Sequence, residues 1–229
     1  MPKILALDTA TDACSVALYR DGDIQDVFRV IPRQHTKELL PMVQQLLLDN
    51  GVKVSELDAI AVGRGPGSFA GIRIATGAAQ GLAFGAQLPM LPVSTLAAMA
   101  LRIYRETGAH SIVTALDARM NEIYCGAYRI EQGLPVELMP ETVCAPDALV
   151  LPEIEGDWTV GGSGWCYLES MTEPVKEKVK LLPELIYPAA TEIVALAVQD
   201  WEAGKAVAPE EALPVYLRDS VAWKKKDQQ

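Results

Sequence analysis

The loop before the longest predicted helix has residue types suited to binding an anion. Residues 59–62 form a predicted strand, and the chain continues as GRGPGSF over residues 63–69. Backbone N–H groups at a helix N-terminus attract anions such as phosphate, and Ser68 is a favoured N-cap residue. A plain strand-to-helix turn uses the same residues. The sequence therefore supports an anion site and an ordinary turn alike.

The second half of the chain repeats the pattern of the first. Residues 4–8 have the sequence ILALD and residues 113–117 have VTALD, and each run is followed by a polar turn, a second β-prone run and a glycine turn. Any strand–turn–strand shares some of these features, but the common order favours an internal duplication. We therefore predict two lobes, residues 1–107 and residues 108–229. Strands that alternate with helices predict a mixed or parallel sheet with helices packed on it.

Two lobes that each open with strand, aspartate, turn and strand resemble the actin, Hsp70 and sugar-kinase (ASKHA) superfamily. The resemblance implies an α/β fold with a duplicated mixed β-sheet, flanking helices and, here, a reduced second lobe. It also implies that Asp8 and Asp117 face a cleft and help to hold metal-bound phosphates. The candidate nucleotide-binding residues are Asp8, Thr9, Asp117, Gly161, Gly162 and Gly164. Because the loop over residues 9–11 lacks glycine, its amides approach phosphate less closely, and a hairpin-capping role for both aspartates stays open.

The charge of the chain opposes unaided binding to nucleic acid. The formal net charge is −10 at pH 7 and the sequence pI is about 4.7. Proteins that grip nucleic acid alone gather Lys and Arg to neutralise phosphates. The basic run KKK over residues 224–226 is typical of a solvated tail. If RNA is involved, we expect another subunit to hold it.

The cysteines and apolar runs indicate a soluble, cytoplasmic protein. Cys14, Cys125, Cys144 and Cys166 are scattered and form no C-x-x-C pair, which favours reduced, buried thiols over disulfides or a zinc site. The N-terminal MPK runs directly into a β-prone stretch, unlike a signal peptide. No apolar run approaches the length of a membrane span, so we expect no membrane contact.

Two predicted helices of the first lobe have unusual faces. The helix over residues 36–50, closed by Gly51, has an apolar arc of about 160°, whereas a helix that only covers a sheet needs a stripe of roughly 100°. The arc consists of Leu39, Leu40, Met42, Val43, Leu46 and Leu47.

In the next helix, which runs to about residue 84, Gly77, Gly81 and Gly85 recur every four residues, although each interior glycine costs about 1 kcal/mol relative to alanine. Contact with a partner would explain both faces, and deeper burial inside a larger core is the alternative.

Two further helices are predicted. One spans residues 94–105. The other spans residues 191–203 in the second lobe, where Thr191 and Glu192 supply favourable N-terminal chemistry and Gly204 ends the helix.

Four segments together resemble the TsaB (YeaZ) family. They are LDTAT at residues 7–11, GRGPGSFAGIR at 63–73, LDAR at 116–119 and PVYLR at 214–218. The resemblance covers essentially the whole chain. It implies a member of the bacterial machinery that makes threonylcarbamoyladenosine at position 37 of tRNAs reading ANN codons.

The same resemblance implies a set of partners. TsaD carries the transfer chemistry and pairs with the TsaB subunit, the ATPase TsaE joins them, and a TsaC-type enzyme supplies threonylcarbamoyl-adenylate. A homodimer is the alternative to the pair with TsaD. Contact with tRNA is expected only through the complex. No cofactor is expected to bind this chain tightly, and ATP or ADP at the interface of the complex stays open.

Comparison with TsaD-like proteins also predicts what this chain lacks. Those proteins place Asn-His-x-x-x-His at the start of the helix predicted here at residue 94, and its two histidines hold a metal. Thr95 and Met99 stand at those positions, and neither is a suitable ligand. The two histidines of the chain, His35 and His110, are too far apart for a helical metal motif. We therefore predict a non-catalytic subunit. A small ATP-dependent kinase and a glycoprotease-like peptidase are the alternatives, and the peptidase would need the missing histidines.

The resemblance also places the surface for TsaD, or for a second copy of the chain, on the first two helices. His35, a lone histidine before a helix, is expected at the surface or as a cap. The predicted interface residues are His35, Leu39, Leu40, Met42, Val43, Leu46, Phe69, Arg73, Gly77 and Gly81.

Overall fold

Each half of the chain forms one five-stranded sheet in the computed structural model, which describes residues 1–184 and 186–218. The first half contains β1 (Ile4–Asp8), β2 (Ala13–Arg20), β3 (Asp23–Val30), α1 (His35–Asp49), β4 (Ala59–Gly63), α2 (Phe69–Ala86), β5 (Met90–Val93) and α3 (Thr95–Thr107). The second half contains β6 (Ser111–Arg119), β7 (Glu122–Glu131), β8 (Leu134–Cys144), β9 (Trp158–Gly161), α4 (Glu173–Lys176), β10 (Val179–Leu181) and α5 (Ala190–Glu202). The basic run over residues 224–226 lies outside the described residues.

The two sheets have the same topology, which confirms the predicted duplicated mixed sheet. The strand order is β3-β2-β1-β4-β5 in the first and β8-β7-β6-β9-β10 in the second. The leading strand of each half, β1 or β6, pairs antiparallel with the next strand and parallel with the fourth. Positive φ angles at Asp21 and Gly22, and again at Gln132 and Gly133, form the tight turns at equivalent hairpins.

The second lobe is reduced in its connections, as the sequence predicts. Where the first half has the long helices α1 and α2, the second half has the 3₁₀ segments Pro146–Ala148 and Ser163–Ser170 and the four-residue α4. In the part of the chain that the structure describes, the second sheet therefore has less helical cover of its own than the first.

The last helix of each half packs mainly on the sheet of the other half. Helix α3 lies against β6 and β7, and α5 lies against β1, β2 and β4. Leu96, Met99 and Ile103 of α3 join the core of the second sheet, while Ile193 and Val194 of α5 join the core of the first. The predicted boundary between the two lobes, at residues 107 and 108, stays a prediction. The two halves are not separate packing units, because each sheet is covered by a helix of the other half.

The start of α5 corrects the predicted capping chemistry. The helix begins at Ala190, and the residue before it, Ala189, makes no side-chain capping bond. Instead, the Ala190 N–H donates to Ser15 Oγ on β2 at 2.8 Å. A side chain from the first sheet therefore replaces the local cap.

The cysteines are only partly as predicted. Cys14 and Cys125 are buried, Cys144 is half-buried and Cys166 is exposed. The prediction of buried thiols was therefore wrong for Cys166. Within the described part of the chain, none of the helices is both long enough and apolar enough to cross a membrane.

Candidate functional site

Asp8 is sealed inside the first lobe. Its Oδ1 accepts a hydrogen bond from the Ala10 N–H at 3.1 Å, while Oδ2 is buried without a partner among the described residues. A Cβ placed on Gly63 would lie 2.0 Å from Oδ2 and 3.1 Å from Ile193 of α5, so β4 and α5 close over the carboxyl group. Desolvation by burial raises the pKa of Asp8 from 3.8 to about 7. Contrary to the sequence expectation, Asp8 has no exposed atom for a metal-bound phosphate.

Thr9 is also buried, and it ties the first hairpin to α2. Its Oγ1 donates to the carbonyl oxygen of Gly71 at 2.6 Å. A Cβ on Gly71 would lie 2.0 Å from the Thr9 carbonyl oxygen, so only glycine allows this approach. The prediction of nucleotide contact at Thr9 is corrected by this packing role.

The N-terminus of α2 is covered by the β1–β2 loop of the same chain. Ser68 caps the helix by accepting from the Gly71 N–H at 3.3 Å, as predicted. The Ser68 N–H donates to the Ala10 carbonyl oxygen at 2.7 Å, and a Cβ on Gly67 would lie 2.5 Å from that oxygen. The glycine loop therefore receives the β1–β2 loop, which favours the ordinary-turn interpretation over an anion site.

Asp117 closes a hairpin. Its Oδ1 accepts from the Arg119 N–H at 2.8 Å and from the Tyr167 hydroxyl at 3.4 Å, and its Oδ2 pairs with the Arg119 guanidinium at 3.0 Å. After Ala118, the three turn residues Arg119, Met120 and Asn121 all have positive φ between 59° and 64°. These bonds support the capping alternative for Asp117.

The glycines of the second lobe are required by close packing. Gly162 has φ of +109°, and a Cβ there would lie 2.2 Å from the Ala115 carbonyl oxygen and 2.6 Å from Met99 Cε. At Gly164 a Cβ would lie 2.8 Å from Ala115 Cβ, and at Gly161 it would lie 2.9 Å from an Ile103 methyl carbon. Strand β6 and helix α3 therefore fill the space that the sequence assigned to a nucleotide.

Thr95 and Met99, which the sequence resemblance predicts at the positions of two metal-binding histidines, are fully buried between the lobes. The Thr95 N–H donates to the Gly65 carbonyl oxygen at 3.0 Å, and Met99 packs on Gly162. Ser94 caps α3 and donates to Glu141 on β8. In residues 1–184 and 186–218, no three His, Cys, Asp or Glu side chains lie close enough to hold a metal ion.

The burial of α1 corrects half of the predicted interface residues. The side chains of Leu39, Met42, Val43 and Leu46 are buried in the core of the first lobe, because α1 packs on β2, β3 and α2 together and its wide apolar arc is used within the chain. The deeper-burial alternative is therefore right for these residues. His35 is buried as well, with Nε2 3.2 Å from the Ala13 carbonyl oxygen. Leu40 alone of the predicted α1 interface residues is exposed, at 51%.

Helix α2, in contrast, has an exposed face with few side-chain atoms. We define the α2 surface as Phe69, Arg73, Gly77, Gly81, Phe84 and Gly85, which share one face at 100° per residue. Phe69 is 63% exposed and Phe84 is 58% exposed. A Cβ added at Gly77, Gly81 or Gly85 would meet no atom within 4 Å elsewhere in the described residues.

An aromatic and arginine cluster lies at the N-terminal end of this surface. The Arg73 guanidinium stacks on the Phe69 ring, 3.3 Å from its centroid, and lies 5.1 Å from the Tyr216 centroid. Neither Tyr216 nor Phe84 is predicted at this surface from the sequence. The PVYLR segment contains Tyr216 and was a signal, but its contact with α2 joins residues far apart in the chain.

Comparison with known proteins identifies the class and then the family. A family model described as TsaD, tRNA N6-adenosine threonylcarbamoyltransferase, matches residues 29–226, which with the paired sheets places the chain among TsaD-like, ASKHA-type proteins. The tRNA threonylcarbamoyladenosine biosynthesis protein TsaB of Escherichia coli K12 is 45% identical over 228 residues, covering 97% of both chains. The TsaB protein of Haemophilus influenzae is 38% identical over 231 residues, covering 97% of this chain and 96% of its own. The chain therefore belongs to the TsaB (YeaZ) family.

A solved structure agrees with this assignment. YeaZ from Pseudomonas aeruginosa has 47% sequence identity and a TM-score of 0.90, and the match covers 95% of this chain and all of that one. The family resemblance and the fold class predicted from the sequence are both confirmed.

Proposed function

We propose that this chain is a non-catalytic subunit in the biosynthesis of tRNA threonylcarbamoyladenosine and that it binds TsaD through the α2 surface, in a complex that TsaE joins. The observation that supports this most directly is the row of glycines on α2. Gly77, Gly81 and Gly85 face open space, and none has a positive φ angle. Within residues 1–184 and 186–218, therefore, nothing in the conformation or the packing requires glycine at these positions.

The energetic cost of the glycines argues for a partner. Alanine at each position would stabilise the helix by about 1 kcal/mol in the free chain. A partner helix could approach a glycine row more closely than an alanine row, because no side chain separates the two backbones. Aromatic residues and arginine are enriched at the energetic centres of protein interfaces, and Phe69, Arg73 and Phe84 flank the row.

The non-catalytic role is supported by what occupies the places where chemistry would occur. Thr95 and Met99 form packing contacts at the positions of the metal-binding histidines, and Asp8 has no accessible oxygen. A kinase would need an accessible phosphate site, and a glycoprotease-like peptidase would need the metal ligands. We therefore assign the transfer chemistry to the partner.

The negative net charge of the chain supports contact with tRNA through other subunits and not through this one. With a net charge of −10, the chain would repel a phosphate backbone on average. We propose that tRNA contacts the complex through other subunits, and that the protein works in the cytoplasm with the TsaC-type enzyme that supplies the activated intermediate.

Purified protein is expected to bind ATP weakly and not to hydrolyse it, because the candidate phosphate residues are buried or engaged in a hairpin. Titration calorimetry with ATP and Mg²⁺, together with a phosphate-release assay, checks this, and TsaE serves as the positive control. Sub-micromolar binding or steady hydrolysis by the chain alone would favour the kinase alternative. The result leaves open a nucleotide bound at the interface with TsaD, which the same titration of the complex measures.

The interface is tested by Gly81→Leu. The variant should fold as stably as the parent, since a Cβ there meets no atom within 4 Å among the described residues and leucine is a better helix former than glycine. Binding to purified TsaD should weaken at least tenfold, which corresponds to about 1.4 kcal/mol, because the added side chain separates the two surfaces. Sedimentation velocity and calorimetry measure the association, and thermal unfolding measures the stability.

The matched control is Gln199→Leu, which adds a leucine at an exposed position of α5. It should bind TsaD like the parent. The proposal fails if Gly81→Leu binds TsaD with parental affinity. Sedimentation of the parent alone shows whether a second copy of the chain occupies the same surface, in which case Gly81→Leu should also be monomeric.

A further inference from the structure

The C-terminal segment follows α2 after it leaves α5. Val207 pairs with Met90 at the edge of β5, so the segment starts on the first sheet. The Gln80 side chain of α2 then donates from Nε2 to the carbonyl oxygens of Pro209 and Ala212, at 2.9 and 3.4 Å. These bonds direct the chain along α2 toward the N-terminal end of that helix.

The next stretch, residues 213–218, which we term the strap, meets the α2 surface. The Val215 N–H donates to the Arg64 carbonyl oxygen at 2.8 Å. The ring of Tyr216 lies 6.2 Å from the Phe69 ring, centroid to centroid, and shares Arg73 with it. Tyr216 is 46% exposed, so a partner that covers Phe69 and Arg73 would also contact the strap.

The strap ends on the second lobe. The Arg218 guanidinium group donates to Glu122 Oε2, with Nε at 3.1 Å, and to the carbonyl oxygens of Ala118 and Arg119 at 3.2 and 3.4 Å. These acceptors lie at or beside residues 119–121, the β6–β7 turn with positive φ angles. Non-glycine residues in this region cost free energy and persist when the surrounding structure holds them. Arg218 is well suited to do so, because its fork of N–H donors reaches both a carboxylate and backbone carbonyls.

We propose that the strap couples the α2 surface to the β6–β7 turn, so that a partner bound to the first lobe stabilises the turn of the second. The inference rests on the proposed binding of TsaD. A partner that contacts Tyr216 favours the attached strap, and the attached strap places Arg218 on the turn. By linkage, the bonds of Arg218 must in return favour partner binding, although Arg218 lies outside the α2 surface.

Hydrogen exchange of the full chain, alone and with purified TsaD, tests the coupling. In the parent, TsaD should slow exchange of residues 118–123 about threefold or more. In Arg218→Ala, this slowing should disappear and TsaD should bind about fivefold more weakly, in line with typical coupling between sites. Arg129→Ala is the matched control, because Arg129 is an exposed arginine of β7 in the same hairpin, and it should behave as the parent. Glu122→Gln, which weakens the bond without removing side-chain atoms, provides the test if Arg218→Ala does not fold.

The outcomes separate the two proposals. The strap proposal is overturned if TsaD binds the parent but leaves exchange at residues 118–123 unchanged. It is also overturned if the turn is protected equally in Arg218→Ala, since TsaD would then contact the turn directly. If TsaD does not bind the parent at all, the proposed function fails and the strap proposal falls with it.

Discussion

Replacement of Asp8 by asparagine is expected to stabilise the protein by about 3 kcal/mol at pH 8 and to change its stability little at pH 4. In the unfolded chain the carboxyl group has a pKa near 3.8, whereas burial raises the pKa in the folded chain to about 7. Between these pH values the unfolded state releases a proton that the folded state keeps. Stability therefore falls as pH rises through this window, by about 1.4 kcal/mol per pH unit.

Above pH 7 the loss approaches about 4 kcal/mol, and asparagine avoids it because the amide does not ionise. The amide nitrogen would lack an acceptor in the pocket of Oδ2, which offsets roughly 1 kcal/mol of the gain. Urea denaturation from pH 4 to pH 8 measures the difference between Asp8→Asn and the parent. Asp12→Asn, at an exposed position in the same loop, should not show this pH-dependent gain. A constant difference between Asp8→Asn and the parent across the range would contradict the burial argument.

Neither half of the chain is expected to fold alone when it is divided between residues 107 and 108. Residues 1–107 lack α5, so Ile4, Leu91 and Val93 of the first sheet lose their cover. Residues 108–229 lack α3 and expose Ile112 and Tyr128 in the same way. Full exposure of one such side chain costs about 1.5–3 kcal/mol, so the loss of several is comparable with the roughly 5–15 kcal/mol that stabilises a domain.

Circular dichroism and urea titration of each fragment, alone and mixed, measure this effect. Each fragment should lack a cooperative transition, and the mixture should regain one. A third molecule, residues 1–107 joined by a flexible linker to residues 189–204, should fold because it restores the helix that covers the first sheet. Cooperative unfolding of residues 1–107 alone would show that α5 is not required.

The sequence predicted the local elements better than the roles of the polar residues between them. The β2–β3 hairpin and the start of α2 follow from Asp21-Gly22 and Ser68, whose chemistry acts over a few residues. The burial of Asp8 depends on Ile193, far along the chain, and no local pattern indicates that contact. Gly161, Gly162 and Gly164 predict a ligand site when only the local sequence is considered. The atoms that crowd them belong to α3 and β6, which are distant in the chain, so the local pattern does not indicate this packing.

The predicted partner surface is also only partly right, because its α1 residues are mostly buried and its α2 residues are exposed. The wide apolar arc of α1 predicts either contact with a partner or deeper burial, because periodicity cannot distinguish a partner from a second packing neighbour within the chain. The structure shows burial, since Met42 is covered by the chain's own core. The glycine row of α2 was also assigned to a partner, and the structure leaves Gly77 and Gly81 facing open space. Binding at this row stays a prediction.

The reciprocal packing of α3 and α5 bears on the origin of the fold. A chain that consisted of one half would have a sheet with one uncovered face and a terminal helix without a sheet beneath it. Two copies of such a chain could cover both faces at once by swapping their terminal helices, so a domain-swapped homodimer is the arrangement that would satisfy a half-length chain. Fusion of two gene copies would then yield one polypeptide with matching sheet orders and crossed helices, and later loss of helices from the second copy would leave the asymmetry between the lobes.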